Sequence, residues 1–584
     1  MNFNHYEKGF QKLNTAANSK GLVWLMLLVL CFCSGTALGQ ITWDGSDNDD
    51  WNTAANWDSG TVPTAADDVI IPSSSSTNFN APTIGSDESY EVNSLTVQSS
   101  GRLEIGPSSG GNGSSLTVNG DLTNDGLVRA NVNSSLALLG GYSGTGSYAN
   151  SRTVYGDLSY SIFAVPFTDG NIALFNGVFA YEYNNETGGY VALDYVDAAE
   201  PGKGYFVSIG DGSNPSGTTF TLGFAGALVG DDVNVDITMG AADKFNLLGN
   251  PYSAAISVDK FFNNSNNTDH TTGVIYFWDD GGSNFNNLRA GDYVTVNSMG
   301  VVGTSDVGDG VGGVKGTSAY NGHVLTMQGF YVEATDDGVV SFTQDMQVAD
   351  MNDDEDFYRS QSAENRATVK LSLGNEFLYN ELLVGFDPEA TENIDYSLDA
   401  KKLSGNENLS FYTKRNGEDF AILALPALSG ESIVVDLGID LLKDGTYQLM
   451  VEEMQHLPVN YTVELEDIAL GASYNLTTTT KITLDLNTAK VADRFKLHFK
   501  PAEVTSAGDL ESPQFAITTA TKSGLTIAYS GTDERVLLYN MQGSVLIDET
   551  VRFEDATGRL SVPLGPQQVY LLKIGNEVIK FTLD

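Results

Sequence analysis

Cysteine is nearly missing from this 584-residue chain, which contains two, Cys31 and Cys33. Both lie within the first 39 residues, so the rest of the chain has no thiol that could form a disulfide, bind zinc or act as a nucleophile. The composition therefore excludes thiol enzymes and cysteine-ligated zinc proteins. The folded part must be held together by its hydrophobic cores.

Positive charge is also scarce. Lys and Arg number 30 against 75 Asp and Glu, and the formal net charge is −45. Because binding to phosphate backbones or to anionic lipid requires a basic surface, this balance excludes a general nucleic-acid-binding protein and disfavours a polybasic membrane anchor. Hydrophobic residues make up 41% of the chain, which is enough to form cores.

Long apolar runs are limited to residues 22–33, which follow a polar segment with three lysines. This run is shorter than the roughly 20 residues of a membrane-spanning helix and is typical of a signal peptide over residues 1–39. Small residues before the junction predict cleavage between Gly39 and Gln40. An N-terminal membrane anchor is the alternative. No membrane span is expected in the mature chain.

Alternation of apolar and polar residues with period two dominates the remainder, as in residues 368–373 and 461–465. Clusters of Gly, Asn, Asp and Ser separate these segments, and a short helix is predicted near residues 258–263. We therefore expect an all-β, multidomain protein. In chain order, the expected regions are a Gly/Ser/Asn-rich region at 40–150, a β-rich module at 151–349, an acidic linker at 350–365, a β-sandwich at 366–500, a linker at 501–512 and a compact β-unit at 513–584.

Two of these regions have internal regularities. Short apolar triplets recur at irregular spacing in residues 40–150, which suits either stacked rungs of a β-solenoid or a meander of hairpins. Within residues 151–349, a Gly-aromatic-aromatic-Val string occurs at 204–207 and again at 329–332, each time followed by a second strand-like segment.

The C-terminal region carries the most specific pattern. Residues 536–543 read Val-Leu-Leu-Tyr-Asn-Met-Gln-Gly and residues 569–576 read Val-Tyr-Leu-Leu-Lys-Ile-Gly-Asn. These strings resemble the type A C-terminal sorting domain of the type IX secretion system, found in Bacteroidetes. A pair of glutamines at 567–568 replaces the Pro-Gly that this family usually has. The residues that match the sorting signal are Tyr539, Gly543, Tyr570, Lys573, Lys580 and Phe581.

The resemblance implies a small Ig-like β-sandwich and a two-step export. The signal peptide would bring the chain to the periplasm, and the type IX secretion machinery would recognise the C-terminal domain at the outer membrane. This places the protein in the secreted fraction or on the outer cell surface, and it assigns no catalytic role to the sorting domain. Residues 245–252, and residues 465–467 with 494–495, also resemble segments of large Bacteroidetes surface proteins.

Metal binding has two weak candidates, because oxygen-bearing side chains alternate in two acidic runs. Calcium prefers six to eight oxygen ligands, but neither run has the Gly and Glu spacing of an EF-hand loop. A solvated acidic turn or linker is the alternative in each case, and no other cofactor is expected. The candidates are Asp44, Asn48 and Asp50 in the first run and Asp350, Asn352, Asp354 and Asp356 in the second.

No catalytic motif was found, since the histidines after residue 39 lie far apart and neither HExxH nor GxSxG occurs. Trp43, Trp51 and Trp57 could form a platform for sugar rings or a hydrophobic plug at the end of the solenoid. We therefore expect a non-enzymatic adhesin or structural surface component with a glycan or protein ligand. The alternative is a carbohydrate-binding or carbohydrate-active protein, with a cleft of aromatic and carboxylate side chains in residues 151–349 or 366–500.

Overall fold

The chain forms two compact units, which join between Pro501 and Ala502. The computed structural model describes residues 39–74, 80–107, 113–155, 160–172, 179–194, 196–208, 219–279, 292–303, 322–350, 366–375, 378–403, 405, 408–488, 491 and 493–501 of the first unit, and residues 515–521, 524–529, 534–540, 545–552, 557–562, 564, 569–574 and 577–582 of the second. Strands dominate both units, which confirms the all-β, multidomain prediction. Within these ranges, no helix is long and apolar enough to cross a membrane.

The N-terminal region of the first unit is a β-solenoid. Its strands are β1 (Gln40–Thr42), β2 (Asp68–Ile71), β3 (Thr83–Ile84), β4 (Ser89–Val92), β5 (Ser94–Val97), β6 (Arg102–Ile105), β7 (Ser115–Val118), β8 (Leu122–Asn124), β9 (Leu127–Ala130), β10 (Ser135–Leu138), β11 (Tyr142–Ser143) and β12 (Ser147–Tyr155). They form three parallel sheets, ordered β1-β2-β5-β8-β11, β3-β6-β9-β12 and β4-β7-β10. Since hairpins would pair antiparallel, the parallel pairing selects the solenoid over the meander.

Each rung of the solenoid places its apolar residues over those of the next rung. Val69, Leu95 and Leu122 are register partners on three successive rungs, and all are buried. Leu103 and Val128 are stacked in the same way on a second face. A single rung buries too little apolar surface to be stable, so the stacking itself forms the core.

The three N-terminal tryptophans close one end of this core. Trp43 and Trp51 each meet Trp57 edge to face, with ring centroids 4.9 and 4.7 Å apart, and all three side chains are almost fully buried. The indole Nε1 of Trp57 donates to the carbonyl oxygen of Trp51 at 2.9 Å. These rings are therefore part of the core and do not form an exposed platform.

The middle region contains four small sheets. Three of them surround a second core, whereas buried residues of the fourth, such as Tyr205 and Val207, extend the core of the solenoid. Its strands are β13 (Tyr160–Phe163), β14 (Ala180–Asn184), β15 (Gly189–Ala192), β16 (Tyr205–Ser208), β17 (Thr219–Gly226), β18 (Val233–Ile237), β19 (Phe245–Gly249), β20 (Ala255–Ser257), β21 (Thr271–Asp279), β22 (Asp292–Asn297), β23 (Gly300–Val302), β24 (His323–Val324), β25 (Gly329–Ala334), β26 (Gly338–Phe342) and β27 (Gln347–Val348). Sheets run in the orders β13-β16-β14-β15, β18-β26, β19-β25-β21-β22-β23 and β24-β20-β27, while β17 pairs with β12 of the solenoid.

Short helices and buried amides complete this region. Helix α1 (Val258–Phe262) occurs where a helix was predicted, with Ser257 as its N-cap, and α2 (Ser265–His270) follows. The fully buried amide of Asn250 donates to the carbonyl oxygens of Ala254, Val324 and Leu325 at 2.8, 3.1 and 3.0 Å. Asn250 thereby links the turn at Ala254 to the end of strand β24, and its buried amide is fully hydrogen-bonded.

The middle region also covers the exposed edge of the solenoid strand β10. Ser253 Oγ donates to the carbonyl oxygen of Leu136 at 2.6 Å, and the Leu136 N–H donates to the carbonyl of Ser253 at 3.3 Å. Gln344 donates to Gly140 at 2.6 Å from the turn that precedes β27. An open edge would expose unpaired backbone groups to other chains, and these contacts prevent that.

The last region of the first unit is one continuous sheet that curls into a half-barrel. Its strands are β28 (Ala367–Gly374), β29 (Tyr379–Asp387), β30 (Ala400–Lys401), β31 (Leu409–Arg415), β32 (Glu418–Pro426), β33 (Ile433–Leu441), β34 (Gly445–Gln455), β35 (Tyr461–Asp467), β36 (Ala472–Asn475), β37 (Lys481–Leu486) and β38 (Phe495–Pro501). The order is β36-β35-β38-β33-β31-β32-β29-β28-β34-β37, with β30 beside β32. A single core lies inside the curl.

Strand β29 is buried along its whole length because both faces of the sheet are covered there. Val384 faces the core inside the curl, whereas Leu383 packs with Met299 and Val302 of the middle region. The Gly303 N–H also donates to a carboxylate oxygen of Glu381 at 2.9 Å. The middle region and the half-barrel thus share an apolar interface.

A buried ion pair in the half-barrel joins the last residue of β35, Asp467, to Arg494, the residue before β38. The guanidinium of Arg494 donates to both carboxylate oxygens of Asp467, at 2.9 and 2.6 Å, and the Asp467 side chain is fully buried. The same carboxylate accepts the backbone N–H groups of Ala469 and Leu470. Arg494 also lies 4.9 Å over the ring of Phe495. These bonds compensate for removing the two charges from water.

The second unit is a small β-sandwich. Its strands are β39 (Phe515–Thr521), β40 (Gly524–Tyr529), β41 (Glu534–Asn540), β42 (Val545–Val551), β43 (Thr557–Ser561), β44 (Val569–Ile574) and β45 (Glu577–Thr582). The two antiparallel sheets have the orders β39-β40-β43 and β42-β41-β44-β45. Alternate residues of each strand point into one apolar core, as period-two patterning requires.

Candidate functional site

Aromatic side chains cover one face of the sheet β13-β16-β14-β15. Tyr181 is the register partner of Phe206, and Tyr183 is the partner of Tyr190. Because side chains alternate between the two faces of a strand, residues two apart share a face, and Tyr160 lies on this face as well. We define the aromatic face as Tyr160, Tyr181, Tyr183, Tyr190 and Phe206.

The rings of the aromatic face form a continuous row. Phe206 stacks on Tyr160 with centroids 4.9 Å apart and planes at 9°, and on Tyr190 at 4.9 Å and 26°. Tyr183 meets Tyr190 edge to face at 5.3 Å. Such pairs contribute about 0.5–1.5 kcal/mol beyond burial. The row is therefore held in a defined arrangement.

A second set of rings meets the aromatic face from the neighbouring sheet. Trp278 on β21 lies 5.9 Å from Phe206 and 5.1 Å from Tyr293 on β22. The hydroxyls of Tyr190 and Tyr331 lie 2.5 Å apart. The two sheets thus join through aromatic contacts, and the aromatic face continues onto β21 and β22.

Polar groups accompany these rings. Tyr183 donates a hydrogen bond to the carboxylate of Asp243. Burial raises the pKa of Tyr183, Tyr190 and Tyr331, and the hydrogen bond to Asp243 raises that of Tyr183 further. These hydroxyls are therefore protonated at neutral pH and act as hydrogen-bond donors or acceptors.

Exposed apolar side chains gather beside the aromatic face. Tyr190 is 44% exposed, and Phe179, one residue before β14, is 60% exposed. Val191 and Val196 nearby are 48% and 88% exposed. These side chains lie in the β14–β15 hairpin or within a few residues of it, and a concentration of exposed large apolar side chains marks an interaction surface more often than scattered ones do.

The residues of the expected sorting signal lie on the last strands of the second unit. Tyr570 is buried and stacks with half-buried Phe581 across the β44–β45 hairpin, at 5.5 Å between centroids. Tyr539 and Lys573 are half-buried, and Lys580 is exposed on the edge strand β45. Gly543 lies outside the described residues. At the other end of the chain, Gly39 opens the described range and Gln40 begins β1.

The first calcium candidates form a network of turns. Asp44, Asn48 and Asp50 each accept the backbone N–H two residues later, at 2.9 Å. Asn48 also accepts from the fully buried amide of Asn56, at 2.7 Å. These side-chain oxygens thus hold the loop over the tryptophans. Of the second run, Asp350 is the last described residue of its segment, and Asn352, Asp354 and Asp356 lie outside the described residues.

Metal ligands are not clustered in the part of the chain that the structure describes, where no group of three or more His, Asp or Glu side chains is placed to hold an ion. His270 pairs with Asp336 at 2.8 Å, and His498 pairs with Glu466 at 2.7 Å. Each of these two histidines thus has one carboxylate partner.

The aromatic face was not predicted from the sequence, although the sequence does indicate that two of its tyrosines lie on the same face of a strand. The string Ala-Tyr-Glu-Tyr-Asn at 180–184 places two tyrosines on one side of a strand. Tyr190 faces Tyr183 across the β14–β15 hairpin, but nothing local indicates that Phe206 joins them, because β16 pairs with β13 and β14 and not with β15.

The comparisons with known proteins address the first unit. No curated protein matches the chain. A family model described as a domain of unknown function (DUF8693) matches residues 42–499, which contain the middle region and almost all of the solenoid and the half-barrel. The second unit lies beyond this match. The chain therefore belongs to the DUF8693 family.

Proposed function

We propose that this protein is a non-enzymatic adhesin of the outer cell surface, exported by type IX secretion, that binds glycans at its aromatic face. The observation that carries the proposal is the row of stacked rings, which includes the exposed Tyr190 and has the exposed Phe179 one residue before β14. Ring surfaces of this kind contact the C–H groups of sugars. The tyrosine hydroxyls and Asp243 supply hydrogen-bonding partners at its border.

A glycan suits this surface better than a purely apolar partner. Binding sites commonly combine aromatic walls with a few polar groups that fix orientation. The aromatic face has this combination, since its rings carry protonated hydroxyls and lie beside one carboxylate. The export part of the proposal rests on the C-terminal pattern and on the compact sandwich that contains it.

Glycan binding is tested with the purified mature chain on immobilised polysaccharides and a glycan array. We expect Phe179→Ala and Tyr190→Ala to weaken binding about tenfold, since loss of ring contacts of 1–1.5 kcal/mol has that effect. Tyr190→Phe keeps the ring and should keep most of the binding. Tyr396→Ala is the matched control, because Tyr396 is 58% exposed but lies between β29 and β30.

The outcomes separate the candidate functions. Equal binding by Tyr190→Ala and by the wild type would reject the aromatic face as the site. Binding to none of the glycans would leave a structural surface component as the better description. Release of reducing sugars during incubation would favour a carbohydrate-active enzyme.

Export is tested separately by deleting residues 502–584 in a host with type IX secretion. The proposal predicts that the truncated chain stays in the periplasm, whereas the full chain reaches the surface or the medium. Surface delivery of the truncated chain would reject the sorting role of the second unit.

A further inference from the structure

A depression lies on the outer face of the solenoid, where β9, β12 and β17 run side by side. Its volume is about 410 Å³, within the range of about 300–1,000 Å³ typical of ligand sites. Side chains and backbone of three strands line it. The lining residues are Arg129, Asn131, Ala149, Asn150, Ser151, Gly223, Phe224 and Ala225.

The floor of this depression is open because the central side chains are small. A Cβ atom added at Gly223 would meet no other atom within 4 Å. Gly223 lies within strand β17 and is exposed, and its backbone does not need glycine for conformational reasons. Its effect is therefore to leave room in front of Ala149 and Ala225.

The charged groups beside the depression leave one cation incompletely paired. Glu104 makes a close ion pair with Arg102, and it also accepts the amide of Asn131 at 3.2 Å. The guanidinium of Arg129 is 40% exposed, and its ion-pair contact among the described residues is to Glu104 at 3.8 Å. In a chain with 75 acidic and 30 basic residues, two arginines beside one carboxylate form an unusual local excess of positive charge.

We propose that this depression binds the carboxylate of an acidic sugar, such as a uronic acid residue in a polysaccharide. The guanidinium of Arg129 would receive the carboxylate, because arginine forms two parallel hydrogen bonds to such a group. Asn131 and Ser151 offer polar atoms for sugar hydroxyls, and the space at Gly223 accommodates the ring. Repulsion from the net negative chain is screened beyond about 8 Å at physiological salt.

This site is separate from the aromatic face and makes a different prediction. The aromatic face would bind a glycan through contacts with its rings, whereas the depression would bind a glycan through the negative charge of its carboxylate. The proposal is tested by isothermal titration of the mature chain with an oligogalacturonate. The fully methyl-esterified oligomer is the matched neutral ligand, and a glutamate peptide of equal charge is the acidic comparison.

We expect the oligogalacturonate to bind and its methyl ester to bind about tenfold more weakly or not at all. Arg129→Ala should lose binding to the same extent, and Arg129→Lys should keep part of it. Gly223→Leu should block binding by filling the depression while leaving Arg129 in place. Arg535→Ala is the control, since Arg535 is an exposed arginine paired with Asp548 in the second unit.

Several results would overturn the proposal. These are unchanged affinity in Gly223→Leu, equal binding of acid and ester, tighter binding of the glutamate peptide, or no heat of binding at millimolar oligomer. Unfolding curves identify a misfolded Arg129→Ala, in which case Gly223→Leu decides the question. Loss of binding in Tyr190→Ala but not in Gly223→Leu would assign the acidic glycan to the aromatic face instead.

Discussion

The side-chain amide of Gln347 forms both hydrogen bonds that a further strand would offer to Leu138. Its Nε2 donates to the carbonyl oxygen of Leu138 at 2.6 Å, and its Oε1 accepts the Leu138 N–H at 3.2 Å. Both residues are buried or nearly so. One glutamine thus pairs with the last rung of the solenoid as a short strand does, and the edge of β10 ends inside the protein.

Replacing Gln347 by alanine is expected to destabilise this junction by about 2 kcal/mol, because its two hydrogen bonds to Leu138 are lost and the buried Leu138 N–H is left without its partner. Hydrogen exchange in a peptide that covers residues 135–140 should increase in Gln347→Ala. Gln98→Ala, at an exposed glutamine of the solenoid, should leave exchange in that peptide unchanged. Unaltered exchange in Gln347→Ala would show that the amide does not protect this edge.

Removal of the indole of Trp57 is expected to open the N-terminal end of the solenoid core. Trp57→Ala should cost about 3–5 kcal/mol, since a large buried ring leaves a cavity between Trp43 and Trp51. Trp57→Phe keeps a ring but loses the bond to the Trp51 carbonyl, so its loss should be smaller. Thermal unfolding followed by tryptophan fluorescence measures both, and equal losses would contradict the cavity argument.

Asn250→Asp is expected to be more damaging than Asn250→Ala. Aspartate is nearly the same size, but it cannot donate to the three carbonyl oxygens that Asn250 contacts, and it places a charge in a fully buried position. We expect losses of about 2–3 kcal/mol for alanine and more for aspartate. Asn119→Ala, at an exposed asparagine, is the control in denaturant unfolding. A milder effect of aspartate would mean that water reaches this site.

Acid stability should depend on the pair between Asp467 and Arg494. Burial works to raise the pKa of Asp467, but bonds from Arg494, Leu470 and Ala469 outweigh it, so the pKa lies below its ordinary 3.8. A lowered carboxyl pKa stabilises the fold above the ordinary value, and this contribution is lost as pH falls through the folded-state pKa. Asp467→Asn should therefore cost about 3 kcal/mol at pH 7 and progressively less below about pH 4.

Thermal melts at a series of pH values measure this difference between wild type and variant. Asp548→Asn is the matched control, because Asp548 also meets an arginine through two bonds, both 2.7 Å, but in an exposed position. Exposed pairs contribute little, so that variant should follow the wild type at each pH. If the difference in stability between the wild type and Asp467→Asn stayed constant down to about pH 2, the assigned role of the buried pair would be contradicted.

The strands were predictable from the sequence because their residues alternate with period two. The triplets around Leu95, Leu103 and Leu116 became β5, β6 and β7. The choice between solenoid and meander was not predictable, since a strand's own pattern does not encode whether its partner runs parallel. The repeated Gly-aromatic strings also pair differently, because β16 joins β13 and β14 whereas β25 joins β19 and β21.

The candidate sites were harder to predict for the same reason. Tyr190 and Tyr331 are 141 positions apart, and Arg129 and Gly223 belong to strands joined through β12. Contacts of this kind arise from strand order, which local patterns leave open. The three tryptophans near the N-terminus were easier to place. Their close spacing predicted a cluster, and the need to cover the end of a solenoid core predicted where a hydrophobic plug would lie.

Strand β12 pairs in parallel with β9 and antiparallel with β17, so the change from repeated coils to individual sheets takes place within a single strand. Between the tryptophan end and that strand the coils repeat one arrangement of parallel strands, and stacking joins each coil to the next. A coil could be added or removed there without altering either the tryptophan end or the junction with the middle region. Each added coil would lengthen the protein by about 4.8 Å, the spacing of adjacent strands. The distance between the two ends of this solenoid is therefore a property that design can change in regular steps.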